Sequence, residues 1–259
     1  MADQLSVTYI QTDLEWENAM ANRIYFERQI KAIKKQTDII ILPEMFTTGF
    51  AMQPEHLAET MTGDTVIWMQ KIAAQTQAAI CGSIIITEDN NYYNRFLFVQ
   101  PNGTIQCYNK RHLFSLAGEH KHYKNDTSQV IIEYKDWRIC PLICYDLRFP
   151  VWSRNTQNYD LLLYVANWPK PRINAWNTLL KARAIENMSY VVGVNRVGTD
   201  PNGNEYNGNS IILDALGNEL SPFAENNDII ITATLSKEEQ QSVRQKFNFL
   251  NDKDVFTLM

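Results

Sequence analysis

Long apolar runs are missing from the 259 residues of this sequence. No stretch approaches the roughly 18 residues needed to span a bilayer, so no membrane partner is expected. Runs of Lys or Arg are absent too, and the formal net charge is −5. That argues against nucleic acid or a lipid surface as partner, because both require a basic footprint. Met1-Ala2-Asp3-Gln4 offers no basic region followed by an apolar stretch, so no secretory signal is expected. Cysteine is sparse: Cys81, Cys107, Cys140 and Cys144 make no dense disulfide framework, a usage that suits a reducing cytoplasm. Gly/Ser-rich and Pro-rich linkers are lacking, as are internal repeats, and one domain over 1–259 is the expectation. G-x-S-x-G, H-E-x-x-H and P-loop motifs do not occur. His56, His112, His120 and His122 stand at no zinc-ligand spacing from the cysteines, and neither a metal nor another cofactor is expected.

What is present is a large apolar fraction, 45%, against 20% charged residues, enough for a sizeable core. Residues 5–11 read as a first strand. Asp13 can cap a following helix on which Trp16, Met20 and Ile24 recur at steps of four, before Ile30 and Ile33. Ile39-Ile40-Ile41-Leu42 is a continuous apolar run, the pattern of a strand buried on both faces. A second helix follows Asp64 with Trp68, Met69, Ile72 and Ala73 on one side. Strand-like segments 79–87, 92–100, 104–108, 129–134 and 137–143 then crowd together, separated by turn signals at Pro101-Asn102-Gly103 and Lys135-Asp136. A helix is expected over 147–155 and a buried strand over 160–165. Trp176, Leu179, Leu180 and Ala184 mark a periodic helix ending near Asn187. Later strands are read at 190–195, 210–214 and 228–235, with a hairpin turn at 214–218. Strand–helix–strand units at both ends place helices outside and mixed sheets inside, an α/β fold. From Lys237 the sequence is polar and poorly patterned. It is expected either to pack on a partner subunit or to be loosely held.

Three reactive side chains share one type of position. Glu44 follows the strand at 38–42 by one proline, Lys110 comes just after the strand at 104–108, and Cys144 ends the strand at 137–143. Ligands of open α/β sheets bind beyond the carboxyl ends of strands, so catalytic groups collect there. Each residue also has a plainer reading. The Glu is a solvated carboxylate, the Lys a surface cation beside Arg111, and the Cys an inert buried thiol. Context favours chemistry at Cys144, which stands at a strand-to-helix junction. A helix start beyond a thiol favours the thiolate, and the Tyr145 N–H is placed to meet an oxyanion. With no histidine beside this thiol, activation by a carboxylate is the better expectation. Cys140, four residues earlier in the strand, reads as a small apolar residue too far from Cys144 for a disulfide.

Ile41-Leu42-Pro43-Glu44-Met45-Phe46, Tyr108-Asn109-Lys110-Arg111-His112-Leu113-Phe114 and Leu142-Ile143-Cys144-Tyr145-Asp146-Leu147-Arg148-Phe149-Pro150 together resemble the nitrilase superfamily of carbon–nitrogen hydrolases, in the expected order. The likeness extends to about Leu235. It implies a four-layer α-β-β-α sandwich and a homodimer or larger homo-oligomer associated through outer helices. It also implies Glu44 as general base, Lys110 as stabiliser of the tetrahedral intermediate, Cys144 as nucleophile and Glu119 as a second glutamate beside the lysine. Tyr164-Val165-Ala166-Asn167-Trp168-Pro169 matches the loop bordering the family's pocket. The run from Cys144 to Arg154, Ala182-Arg183-Ala184-Ile185-Glu186-Asn187 and Gly193-Val194-Asn195-Arg196-Val197-Gly198 are most similar to the bacterial omega-amidase branch. That branch deamidates 2-oxoglutaramate and 2-oxosuccinamate through a cysteinyl thioester. Such a substrate carries a carboxylate, for which Arg148, Lys170 and Arg172 are candidates, Arg148 being equally suited to bracing the helix after Cys144. Trp168, Phe46 and Tyr123 are candidate pocket walls. Hydrolysis of N-carbamoyl or other small aliphatic amides on the same triad is the alternative, and a binding protein without turnover is a second.

Overall fold

The computed structural model describes residues 3–257. In chain order the strands are β1 (Gln4–Gln11), β2 (Ile39–Ile41), β3 (Ala79–Glu88), β4 (Asn91–Val99), β5 (Ile105–Asn109), β6 (Ile132–Tyr134), β7 (Trp137–Ile143), β8 (Leu161–Val165), β9 (Tyr190–Val194), β10 (Val197–Thr199), β11 (Glu205–Leu213), β12 (Ala224–Glu225) and β13 (Ile229–Ser236). The helices are α1 (Ala19–Lys31), α2 (Asp64–Thr76), α3 (Pro150–Ser153), α4 (Ile173–Asn187) and α5 (Lys237–Phe247). One sheet runs β13-β1-β2-β3-β4-β5. The other runs β10-β11-β9-β8-β7-β6, with β12 paired to β11. The centre of each sheet is parallel: β1, β2 and β3 in the first, β7, β8 and β9 in the second.

The side-chain period of two explains the layering. On β1 and β2, Leu5, Val7, Tyr9, Ile39 and Ile41 turn toward the second sheet and join Trp137, Ile139, Leu161 and Leu163 in one core. Ile10, Ile40 and Leu42 turn the other way, onto Phe26 and Ile30 of α1 and Met69 and Ile72 of α2. Trp176, Leu180 and Ala184 of α4 cover the second sheet. The result is the α-β-β-α sandwich. It accounts for the unbroken Ile39-Ile40-Ile41-Leu42 run, whose strand has apolar neighbours on both faces.

Three expectations are corrected. The first helix starts at Ala19, capped by the Asn18 side chain, and Asp13 instead pairs with Arg196. Met20 and Ile24 are exposed, because the buried face of α1 carries Asn22, Phe26 and Ile30. No continuous helix covers 147–155. A 3₁₀ turn over Cys144–Arg148 ends at Phe149, and α3 restarts at Pro150, since a residue before proline is driven out of helical geometry. The strand read at 210–214 is the longer β11. From Tyr206 to Ser210 its polar stretch is buried, where Gln11, Asn195 and Arg196 supply hydrogen-bond partners. The stretch from Lys237 begins with α5, capped by Ser236 and bonded to its own chain. Gln240 donates to the Asp160 carbonyl at 2.7 Å, and Arg244 donates to the carbonyls of Met188 and Tyr159.

At Gly193 on β9 the α4 layer comes closest. An added Cβ would lie 2.5 Å from Leu180 Cδ1 and 2.9 Å from the Trp176 ring. Gly193→Ala should therefore cost about 1–3 kcal/mol through overpacking. A urea unfolding midpoint equal to that of the wild type would show that α4 yields without cost.

Candidate active site

The reactive side chains converge where both sheets present strand ends. Glu44 stands three residues past β2, Lys110 directly past β5, Cys144 directly past β7 and Asn167 two past β8. Cys144 adopts φ 44° and Met45 φ 43°, left-handed values rare for side chains of this size. Such strain persists only where packing over-determines it, and it turns the thiol out of the β7 line.

Glu44, Lys110 and Glu119 are fully buried and bonded to one another. Lys110 Nζ donates to Glu44 Oε1 at 2.9 Å and to both Glu119 oxygens at 3.0 Å. Asn94 Nδ2 donates to Glu44 Oε1 at 2.8 Å and reaches Glu119 Oε1 at 3.4 Å. Glu44 Oε2 accepts the Asn167 backbone N–H at 2.8 Å, and the Phe114 N–H donates to Glu119 Oε2. Asn167 Nδ2 also donates to the Glu44 carbonyl at 2.7 Å, tying the end of the first sheet to that of the second. The Cys144 Sγ lies 4.0 Å from the Asn167 carbonyl oxygen.

Burial alone would lower the Lys110 ammonium, but Glu119 and Glu44 outweigh it and hold it above its ordinary range. Burial also raises the Glu119 carboxyl, with Lys110 opposing. For Cys144, burial and then the Glu44 charge push the thiol well above its ordinary value, and Lys110 only partly offsets them. One ammonium beside two carboxylates leaves the cluster with no positive excess to hold a resting thiolate. The chemistry available is a neutral thiol with a carboxylate ready to take its proton, and an ammonium ready for a developing oxyanion.

Cys144 opens on a cavity of about 100 Å³. Tyr145, Arg148, Trp168 and Arg172, all marked in the sequence, line it together with Phe50, Phe114, Asn204 and Tyr206, which were not. The Arg148 guanidinium lies 5.0 Å from the Trp168 ring centre and that of Arg172 5.2 Å from Phe114. Three expected neighbours are elsewhere. Phe46 is buried in the helix-side core against Phe26 and Trp68, because its neighbour Met45 takes the turn conformation. Tyr123 is buried outside the cavity wall, donating its hydroxyl to the Ala51 carbonyl at 2.6 Å. Lys170 is exposed and pairs with Glu205. Asn94 went unmarked, although a lone amide ahead of Phe96-Leu97-Phe98-Val99 in a buried strand is a visible signal.

The family model described as carbon–nitrogen hydrolase matches residues 6–245. The chain is 50% identical to an omega-amidase YafV from Yersinia enterocolitica, over 98% of this chain and 99% of that one. It is 31% identical to a 2-oxoglutaramate amidase from Bacillus subtilis, over 97% and 99% of the two chains. Among solved structures, a CN-hydrolase superfamily protein from Xanthomonas campestris superposes with a TM-score of 0.96 at 39% identity. That match covers 99% of both chains, and the structure carries an arsenic adduct in its active site.

The direction of the thiol shift is open to measurement. A raised thiol value delays thiolate formation as pH rises. At pH 9, the ordinary thiol value, the protein and its Cys144→Ser variant should show equal ultraviolet thiolate absorbance. An excess in the unsubstituted protein at that pH would mean that Lys110 outweighs burial and Glu44 together.

Proposed function

Because this chain belongs to the carbon–nitrogen hydrolase family, we propose that it is an omega-amidase. In this reading it hydrolyses 2-oxoglutaramate and 2-oxosuccinamate to the 2-oxo acid and ammonia. The observation that carries the chemistry is the buried Glu44–Lys110–Glu119 cluster beside Cys144. Glu44 accepts the Cys144 proton as the sulfur attacks the amide carbon. The oxyanion so formed takes hydrogen bonds from Lys110 Nζ and the Tyr145 N–H. Glu44 then gives its proton to the departing nitrogen, ammonia leaves, and a thioester remains. A water molecule, deprotonated by the same carboxylate, hydrolyses it and restores the thiol. Glu119 serves through Lys110, holding the ammonium charged and in line.

The cavity supports a short substrate. Its volume of about 100 Å³ is well below the ~300–1,000 Å³ of drug-sized sites. Arg148 and Arg172 in its wall supply the cationic donors that the substrate's carboxylate needs. We place the enzyme in the cytoplasm as a homodimer. Four free thiols suit a reducing compartment, and the exposed Val151 and Phe256, lining one shallow groove beside Glu186 of α4, offer apolar surface for a second copy.

Ammonia release from 2-oxoglutaramate by the purified protein is the test. Release should vanish in Cys144→Ala, and Lys110→Met should lose about two to three powers of ten in turnover with the oxyanion donor. Arg172→Gln should raise KM for the keto-acid amide roughly ten- to hundredfold, the worth of a charged hydrogen bond, and leave a neutral aliphatic amide unaffected. Release from N-carbamoyl amino acids but not from 2-oxoglutaramate would overturn the substrate assignment. Equal release by the protein and its Cys144→Ala variant would overturn the nucleophile.

A further inference from the structure

Asp146, two residues past the Cys144 thiol, takes no part in the reaction derived above, yet its carboxylate is fully buried and completely used. Oδ2 accepts the Ile143 N–H at 3.0 Å and the Tyr108 hydroxyl at 2.8 Å. Oδ1 accepts the His112 N–H at 3.0 Å and lies 2.7 Å from His112 Nδ1. An ionised carboxylate only accepts, so Nδ1 carries the proton, and all four lone-pair positions are occupied. The partners form a pattern. Tyr108 and His112 flank Lys110 two residues away on either side, whereas Ile143 and Asp146 itself flank Cys144.

One carboxylate thus fastens the strand end that carries the ammonium to the turn that carries the thiol. His112 closes the arrangement from outside. Its ring is stacked on Phe149 at 3.7 Å with planes 5° apart, and Phe149 in turn meets the Tyr145 ring edge-on at 5.1 Å. Its side chain is only 20% exposed, at the wall of a separate open groove rather than of the catalytic cavity.

We infer that Asp146 and His112 are a positioning pair for the thioester-forming step, fixing the distance between the Cys144 sulfur and the Lys110 ammonium. Neither touches substrate. Cys144 holds a strained φ, and a bond to the preceding N–H resists its relaxation. The inference builds on the amidase reading above but has its own readout. Misplacement of reacting groups by about 1 Å costs on the order of a hundredfold in rate, and a partial release costs less.

Three variants test it: His112→Ala, His112→Asn, whose amide can replace the Nδ1 donor, and Asp146→Asn, which removes one carboxylate oxygen. Two rates are measured for each: turnover of 2-oxoglutaramate, and alkylation of Cys144 by iodoacetamide followed by peptide mass, which needs no substrate. His112→Ala should lower kcat roughly tenfold and leave KM within about twofold, with alkylation slowed in parallel. His112→Asn should recover most of both losses. Asp146→Asn should lose more, provided circular dichroism shows it folded, and the rim position of His112 keeps the test alive if it is not. Unchanged kcat and alkylation in His112→Ala, a loss confined to KM, or equal damage in His112→Asn would each overturn the inference. If the wild type releases no ammonia but the alkylation pattern holds, the substrate reading fails and the positioning pair stands.

Discussion

An ammonium with no access to water, held between two carboxylates equally cut off, is the constraint around which the rest is arranged. Each ion would cost several kcal/mol to bury alone, and the attraction among them offsets that cost only with good geometry and further hydrogen bonds. The further bonds are present. Asn94 reaches both carboxylates from β4, Asn167 meets Glu44 from the end of β8, and Phe114 supplies a backbone N–H to Glu119. These donors come from both sheets, so the cluster is complete only when the two sheets face each other in register. The apolar core between the sheets and the charge cluster at their end are therefore one requirement met twice.

The same arrangement fixes the electrical character of the thiol. A single cation beside two anions cannot hold a resting thiolate, whereas in the proposed reaction it holds an oxyanion once the thiol proton has moved to Glu44. The site is thus poised for the transition state rather than for a charged ground state, which is where electrostatic stabilisation raises turnover. Strain at Cys144 and Met45 fits this picture. Both residues stand in left-handed turns at strand ends, backed by a core in which Ile41, Leu142 and Ile143 have no exposure.

Much of this was legible in the sequence for one physical reason: periodicity survives where packing alone decides. The run Ile39-Ile40-Ile41-Leu42 and the helix of Trp68, Met69, Ile72 and Ala73 are where apolar spacing placed them. Legibility failed where hydrogen bonding decides instead. Asn18 rather than Asp13 caps α1, and Met20 and Ile24 repeat at helical spacing on its exposed face. β11 begins earlier than its apolar half because Gln11 and Asn195 satisfy buried amides. α5 carries little apolar patterning because Gln240 and Arg244 fasten it to carbonyls of the preceding chain. Glu44, Lys110 and Cys144 could be marked from strand-end position and motif. Asn94 is visible as a lone amide in an apolar strand, but its partners are not, because they are met only once β4 lies beside β3 and β5.

In the proposed reaction, chemistry and selectivity are carried by different parts of the fold. The groups for bond making stand at strand ends, fixed by ladders and by the buried cluster. The groups lining the cavity beside Cys144 come largely from loops and short turns: Phe50, Phe114, Arg148, Arg172 and Asn204. Arg148 and Arg172 are held by aromatic faces rather than by carboxylates, and no ion pair of either is found among the described residues. A guanidinium resting on a ring keeps its fork of N–H donors free for an incoming anion, whereas one already paired with an acid must break that pair first. In the proposed reaction, that difference makes these two arginines, and not the better-bonded Arg183 or Arg196, the place where a carboxylate-bearing amide is told from a neutral one.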